Sequence, residues 1–278
     1  MYRFRKPACP QGHQRFESSR FRQESHQKLI ANDRTGMLTT EYDRMHKMEK
    51  NYWWFAGRRY LVKRHLEKID KLQKILDIGC GTGEMLSMLK KYGDVVGVDI
   101  AESALNYCRK RGLKVQKSNI IKMPFDDNSF DVITMLDILE HVKNDHNGLK
   151  EVNRICKPRG KVLITVPAYN ILWSDHDRAL KHFRRYTAKE MMAKLDDSGF
   201  KTIKYSYVIT TLFLPILIFR LVQKILPKKS AKSPKTSLIF VPKPINSIFI
   251  ILLKIEAQIS RFVSIPFGVS IIILAEKQ

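Results

Sequence analysis

The stretch Asp77-Ile78-Gly79-Cys80-Gly81-Thr82-Gly83 limits what this chain can fold into more than any other. It joins a short apolar run, Lys74 to Ile78, to a helical pattern from Glu84 to Lys91. Glycines at such a junction let the backbone take up positive φ and pass close to a ligand with no Cβ in the way. A nicotinamide dinucleotide fingerprint, G-x-G-x-x-G, needs glycine at position 84, where this chain has Glu. A carboxylate there also suits a pyrophosphate poorly, which turns the reading toward a nucleoside without phosphate. Asp99 lies twenty residues after Gly79, in the next apolar run, Asp94 to Ile100. A strand-end carboxylate in that register can accept both ribose hydroxyl hydrogen bonds. The plainer alternative, two aspartates that only cap turns, needs both to fall in register by accident.

Strand and helix patterns alternate onward from this turn. Ser103 to Arg111 is helical with Gly112 as its stop, and Lys114 to Lys117, Phe130 to Leu136 and Lys161 to Val166 read as strands. Lys201 to Val208 and Ser270 to Glu276 are two later strands. Such alternation predicts an α/β fold, a mostly parallel sheet with helices on both faces. Upstream, Tyr42 to Leu72 is amphipathic and helical and carries Tyr52, Trp53, Trp54 and Phe55, followed by Arg58. Three regions are expected: a disordered basic arm at 1–36, a catalytic domain at 37–208 and 267–278, and a hydrophobic helical insertion at 209–266.

Hydrophobic residues make up 44% of the chain, and its formal net charge of +23 favours anionic partners. Cys9, Cys80, Cys108 and Cys156 form no CxxC pair, which argues against a disulfide framework and for a reducing, cytoplasmic setting. Cys9 and His13 have no second ligand pair at a usable spacing, so no metal is assigned.

Five separate matches carry a resemblance to the class I S-adenosylmethionine-dependent methyltransferases. They are Asp77 to Gly83; Val98-Asp99-Ile100; Met123-Pro124-Phe125 with Asp131; Leu136-Asp137-Ile138-Leu139-Glu140-His141; and Lys157-Pro158-Arg159-Gly160. The resemblance spans roughly residues 42 to 206. It implies a Rossmann-like seven-stranded, mostly parallel sheet with an antiparallel last strand, and S-adenosylmethionine as cofactor. Carried over position by position, Asp77, Gly79, Gly81 and Gly83 border the methionine part, Asp99 holds the ribose, and Ile100, Asn119 and Leu136 complete the site. The family usually has Asp where Asn119 stands; an amide oxygen still accepts a hydrogen bond from adenine, with less charge. Arg58 is expected to pair with the cofactor's carboxylate.

Methyl transfer from a sulfonium is an in-line displacement that chiefly needs positioning and exclusion of water. A hydroxyl acceptor adds the need for a base, for which His141, His176 and His182 are the candidates. The loop after the fifth strand carries Trp173, Asp177, Arg184, Arg185 and Tyr186, a density of such groups unusual for a plain surface loop. With Trp53-Trp54-Phe55 and Arg58, this loop resembles a subgroup associated with cell-envelope glycan or lipid pathways, and the resemblance implies that these five residues bind the acceptor; a lid braced by its own charge pairs is the alternative. The leading reading is O-methylation of a small-molecule, glycan or lipid-linked acceptor. An RNA methyltransferase is the alternative that the charge favours, although the Asn/Asp-Pro-Pro-aromatic motif of base-amino methylation is lacking; a non-catalytic cofactor-binding scaffold is another. The insertion's run Val208 to Phe219 has twelve residues before Arg220, fewer than the roughly 20 a spanning helix needs. Its all-round hydrophobicity and the nearby lysines predict peripheral contact with an anionic membrane, with a packed hairpin or a homodimer interface as the alternative, and a kink at Pro215.

Overall fold

Residues 39–67, 73–225 and 241–278 are described by the computed structural model. The arm at 1–36 and the lysines at 228, 229, 232 and 235 lie outside the described residues. Period-two alternation builds the sheet from β1 (Gln73–Ile78), β2 (Gly93–Asp99), β3 (Val115–Lys117), β4 (Phe130–Leu136), β5 (Cys156–Pro167), β6 (Phe200–Val208) and β7 (Ser270–Lys277). The order is β3-β2-β1-β4-β5-β7-β6. The neighbours from β3 through β5 pair in parallel, while β7 runs antiparallel to both β5 and β6.

Alternate strand residues enter different cores. Leu76, Ile133, Ile164 and Ile273 pack with α5 (Asp145–Ile155) and α7 (Ala188–Asp196) on one face, through Leu149, Val152, Met191 and Leu195. Ile75, Val132, Leu163 and Ile272 pack on the other with α2 (Trp53–Leu66), α3 (Glu84–Leu89) and α4 (Glu102–Lys110). The expected helices on both faces are thus present. The predicted helical stretch from Tyr42 is two helices, α1 (Thr39–Met48) and α2, separated by a turn.

The connections that leave the neighbouring strands β1 and β4 run to opposite faces of the sheet, which opens a crevice at their carboxyl ends, the usual ligand position in open α/β sheets. Helix α6 (Asp175–Ala179) lies beyond β5 near this crevice.

The insertion forms α8 (Phe213–Ile225) and α9 (Lys243–Ser260). Helix α9 packs on α2 closely enough that a Cβ on Gly57 would lie 2.2 Å from Leu253 Cδ1. Asn246 of α9 also accepts a hydrogen bond from the Trp53 N–H at 2.8 Å, serving a donor at the start of α2. The expected kink at Pro215 is not needed: Pro215 falls in the first turn of α8, where the missing N–H costs no helical hydrogen bond. Among the described residues, no helix is long and apolar enough to cross a membrane.

Candidate active site

A cleft of about 660 Å³ opens over the carboxyl ends of β1, β2 and β4. Asp77, Gly79, Gly81, Asp99, Ile100, Asn119 and Leu136 line it, as expected from their sequence positions. Gly81 has φ +53, and a Cβ there would meet nothing within 4 Å, so its backbone faces open cleft. Gly83 does not line the cleft; its φ is +92 and a Cβ would come within 2.8 Å of Cys108 Sγ and Leu113 Cδ1. Its glycine serves the packing of α3 against α4.

The two aspartates differ in environment. Asp99 Oδ2 accepts from the Gly81 N–H at 3.0 Å and Oδ1 from the Ala101 N–H at 2.9 Å, so the backbone fixes this carboxylate. Asp77 is buried and accepts from the Thr134 hydroxyl at 2.6 Å; burial pushes its pKa up to about 6. Asn119 Oδ1 accepts from the Ile121 N–H at 3.1 Å, which turns one side of its amide toward its own loop. Arg58 lines the cleft, and its Nη1 donates to Asp137 Oδ2 at 2.8 Å. Asp137 itself adopts φ +60 at the end of β4 and accepts from the Thr165 hydroxyl at 3.0 Å.

Helix α1 covers this end. Tyr42, Met45 and Glu49 line the cleft, and the Thr82 hydroxyl donates to Glu49 Oε2 at 2.5 Å. Arg111 bridges Glu49 and Glu84, the latter at 2.6 Å. Glu49 was not legible as a site residue because its partners lie far along the chain.

At the opposite end the three histidines meet. The Phe183 N–H donates to the Glu140 carbonyl at 2.7 Å, which draws the loop after β5 onto the turn that follows β4. The His141 and His182 rings then lie 4.6 Å apart, and His176 and His182 6.2 Å apart. Burial lowers the pKa values of His141 and His176 to about 4, leaving both neutral near pH 7. Of the expected acceptor residues, only Arg185 lines the cleft; Trp173, Asp177, Arg184 and Tyr186 do not. Asp177 is fully buried and accepts from His182 Nδ1 at 3.0 Å and Arg185 Nε at 2.8 Å. Burial alone would raise its pKa, and the His182 and Arg185 contacts hold it well below the usual carboxylate range. Arg184 and Tyr186 are instead committed to Asp145, each at 2.9 Å. Sequence density singled out this loop but could not distinguish side chains that face the cleft from those that brace it. Ile216 and Arg220 of α8, with Ile209 and Val269, close the cleft on the side of the histidines.

Residues 76–164 match the methyltransferase domain family. An uncharacterized protein of Methanocaldococcus jannaschii is 30% identical over 182 residues, covering 62% of this chain and 76% of that protein. The chain belongs to the class I S-adenosylmethionine-dependent methyltransferases. Symbiobacterium thermophilum demethylmenaquinone methyltransferase is 30% identical over 139 residues, 45% of this chain; the match spans about half of that enzyme, 54%. The fold of this methyltransferase is shared with the Haloferax volcanii protein solved in complex with the Trm112 methyltransferase activator, at a TM-score of 0.56 and 17% identity, covering 86% and 94% of the two chains. It is also shared with Haemonchus contortus phosphoethanolamine N-methyltransferase 2 in complex with S-adenosyl-L-methionine, at a TM-score of 0.53 and 20% identity, covering 79% and 52%. S-Adenosylmethionine is the cofactor. The open space before Gly81 and the backbone-fixed Asp99 carboxylate suit a nucleoside without phosphate.

Proposed function

We propose that this methyltransferase modifies a hydroxyl group of a small-molecule, glycan or lipid-linked acceptor. The carrying observation is that one cleft joins the Asp77 and Asp99 end to three histidines beside the apolar wall of α8. Asp99 takes the ribose hydroxyls, Asp77 and the Gly79–Gly81 backbone border the methionine part, and Ile100, Asn119 and Leu136 enclose the adenine. Arg58 acts by holding Asp137 at the end of β4, between the cofactor and acceptor ends. S-Adenosylmethionine supplies an electrophilic sulfonium methyl, so the protein's work is to align the acceptor and exclude water. Leu172, Ile209 and Ile216 supply apolar cover for that purpose.

A neutral imidazole has a lone pair for the acceptor proton, and His141, His176 and His182 all reach the cleft. His176 of α6 shares its end of the cleft with Arg185 and with Arg220 of α8. The match to demethylmenaquinone methyltransferases supports a small-molecule acceptor. The exposed apolar faces of α8 and α9 support contact with an anionic membrane, from which a lipid-linked acceptor would be drawn.

The test is transfer of labelled methyl from S-adenosylmethionine into fractionated lipid, glycan and RNA extracts. Label is expected in an alkali-stable ether of the lipid or glycan fraction. His176→Ala should lower kcat about 100-fold while cofactor affinity is unchanged. Label confined to RNA, or a His176→Ala enzyme with wild-type turnover, would overturn this reading.

A further inference from the structure

We propose that Glu140, His141 and His182 form a binding site for a divalent transition cation of the zinc type, open toward the acceptor end of the cleft. Their ligating atoms all lie within 4.8 Å of one another, and all three residues line the cleft. Glu140 is 1% exposed, yet its Oε2 is buried with no hydrogen-bond partner. A buried carboxylate oxygen without a partner is costly, and a cation is the ligand that relieves that cost most directly.

The surroundings of the two imidazoles support the assignment. His182 is bound through Nδ1 to Asp177, which leaves its other ring nitrogen for a ligand. Asp177 is in turn pinned by Arg185 Nε at 2.8 Å and Nη2 at 3.1 Å. A carboxylate that orients a histidine in this way is the usual support of a metal-bound imidazole. His141 is tied to the Leu180 backbone, which fixes its ring as well. The donor set is two nitrogens and one oxygen. Two imidazoles favour zinc and its neighbours over magnesium or calcium, and a three-ligand His-His-Glu set leaves a fourth position for water or substrate. Tetrahedral zinc with bonds of about 2.0–2.1 Å spaces its donors about 3.3 Å apart, so the three side chains need only draw inward around the ion.

A cation there would polarise an acceptor oxygen, deepening the reading above, and would reserve His141 and His182 as ligands while leaving His176 for the proton. Binding itself requires no particular acceptor. The experiment therefore reads metal and not turnover, and its outcome is separable from that of the methyl-transfer assay.

The full, untagged chain is stripped with chelator and titrated with Co²⁺ by visible absorption and with Zn²⁺ by calorimetry. One equivalent should bind, with the absorption of a four- or five-coordinate Co²⁺. Glu140→Gln and His182→Ala should each weaken Zn²⁺ at least 100-fold, and Asp177→Asn 10- to 100-fold through the loss of the group that orients His182. If His182→Ala does not fold, Glu140→Gln keeps the shape of the site: Zn²⁺ should raise the thermal midpoint of the wild type and not that of this variant. Absence of sub-millimolar binding to the wild type, or stoichiometric binding that survives Glu140→Gln, would overturn the proposal.

Discussion

Two carboxylates beside one glycine turn have different tasks because their surroundings differ. Asp99 is fixed by two backbone N–H groups, so it meets a ligand already oriented. Asp99→Ala removes the hydrogen bonds proposed here to the ribose, each worth about 1.5 kcal/mol as bonds to a charged group, so S-adenosylmethionine affinity should fall about 100-fold by calorimetry. Asp77 is governed by burial, and its pKa of about 6 sets up opposite trends in stability and binding. In the absence of cofactor, the folded state holds the Asp77 proton more tightly than the unfolded chain does. That contribution is complete below the unfolded pKa of about 3.8 and is lost as pH rises through about 6. Binding runs the other way, because a cationic ligand favours the ionised carboxylate. Affinity for S-adenosylmethionine should therefore decline as pH falls through about 6, and Asp77→Asn should show weaker binding with that pH dependence removed. An Asp77→Asn protein that keeps the wild-type profile would assign the titration to another group.

Helix α9 crosses α2 closely, and the strength of that crossing can be judged from competing terms. Gly57→Ala gains about 1 kcal/mol of helix propensity in α2. Against this, the new Cβ would lie 2.2 Å from Leu253 Cδ1 and 2.9 Å from Leu253 Cβ, and the second contact is too near the α9 backbone for a rotamer change to relieve. Overpacking of this kind costs about 1–3 kcal/mol, so a net loss of about 1 kcal/mol is expected in denaturant unfolding. The same element shows where sequence legibility ends. The sequence pattern predicts Phe130–Leu136 with its observed bounds and puts Asp77 and Asp99 at strand ends, where both line the cleft, because period-two apolar runs and strand-end turns are local patterns. Asn246 serving α2 and Glu49 meeting Thr82 and Arg111 are contacts made only by the folded chain. Glu140 belongs to the Leu136–His141 motif, but its proximity to His182 depends on a backbone hydrogen bond from Phe183 that no spacing rule reveals. Conversely, Arg184 and Tyr186 have the right chemistry for a site and face away from it, toward Asp145.

Over the described residues, exposed apolar surface gathers on α8 and α9, and the sequence that links them is rich in lysine. Ile248, Ile251 and Ile255 are each more than half exposed, and they continue to Ile259 at helical spacing along one stripe of α9, with Phe262 exposed just beyond its end. Leu214, Ile218, Val222 and Ile225 form a similar stripe on α8. Contiguous apolar surface of this kind marks an interaction site. In the sequence from the end of α8 to the start of α9, Lys224, Lys228, Lys229, Lys232, Lys235 and Lys243 occur with no acid among them. A second copy of the chain would bring another charge of +23 to the contact, whereas an anionic bilayer attracts each lysine by about 1 kcal/mol and accepts the apolar stripe between its headgroups. Vesicles containing anionic lipid should therefore float the protein at low salt, and raising the salt should release it. Replacing Ile248, Ile251 and Ile255 together by Ser should abolish flotation and leave S-adenosylmethionine affinity unchanged, since none of the three lines the cleft. Equal binding to zwitterionic vesicles would remove the electrostatic part of this account. A concentration-dependent dimer in sedimentation, dissociated by the same triple substitution, would assign the stripe to a second copy instead.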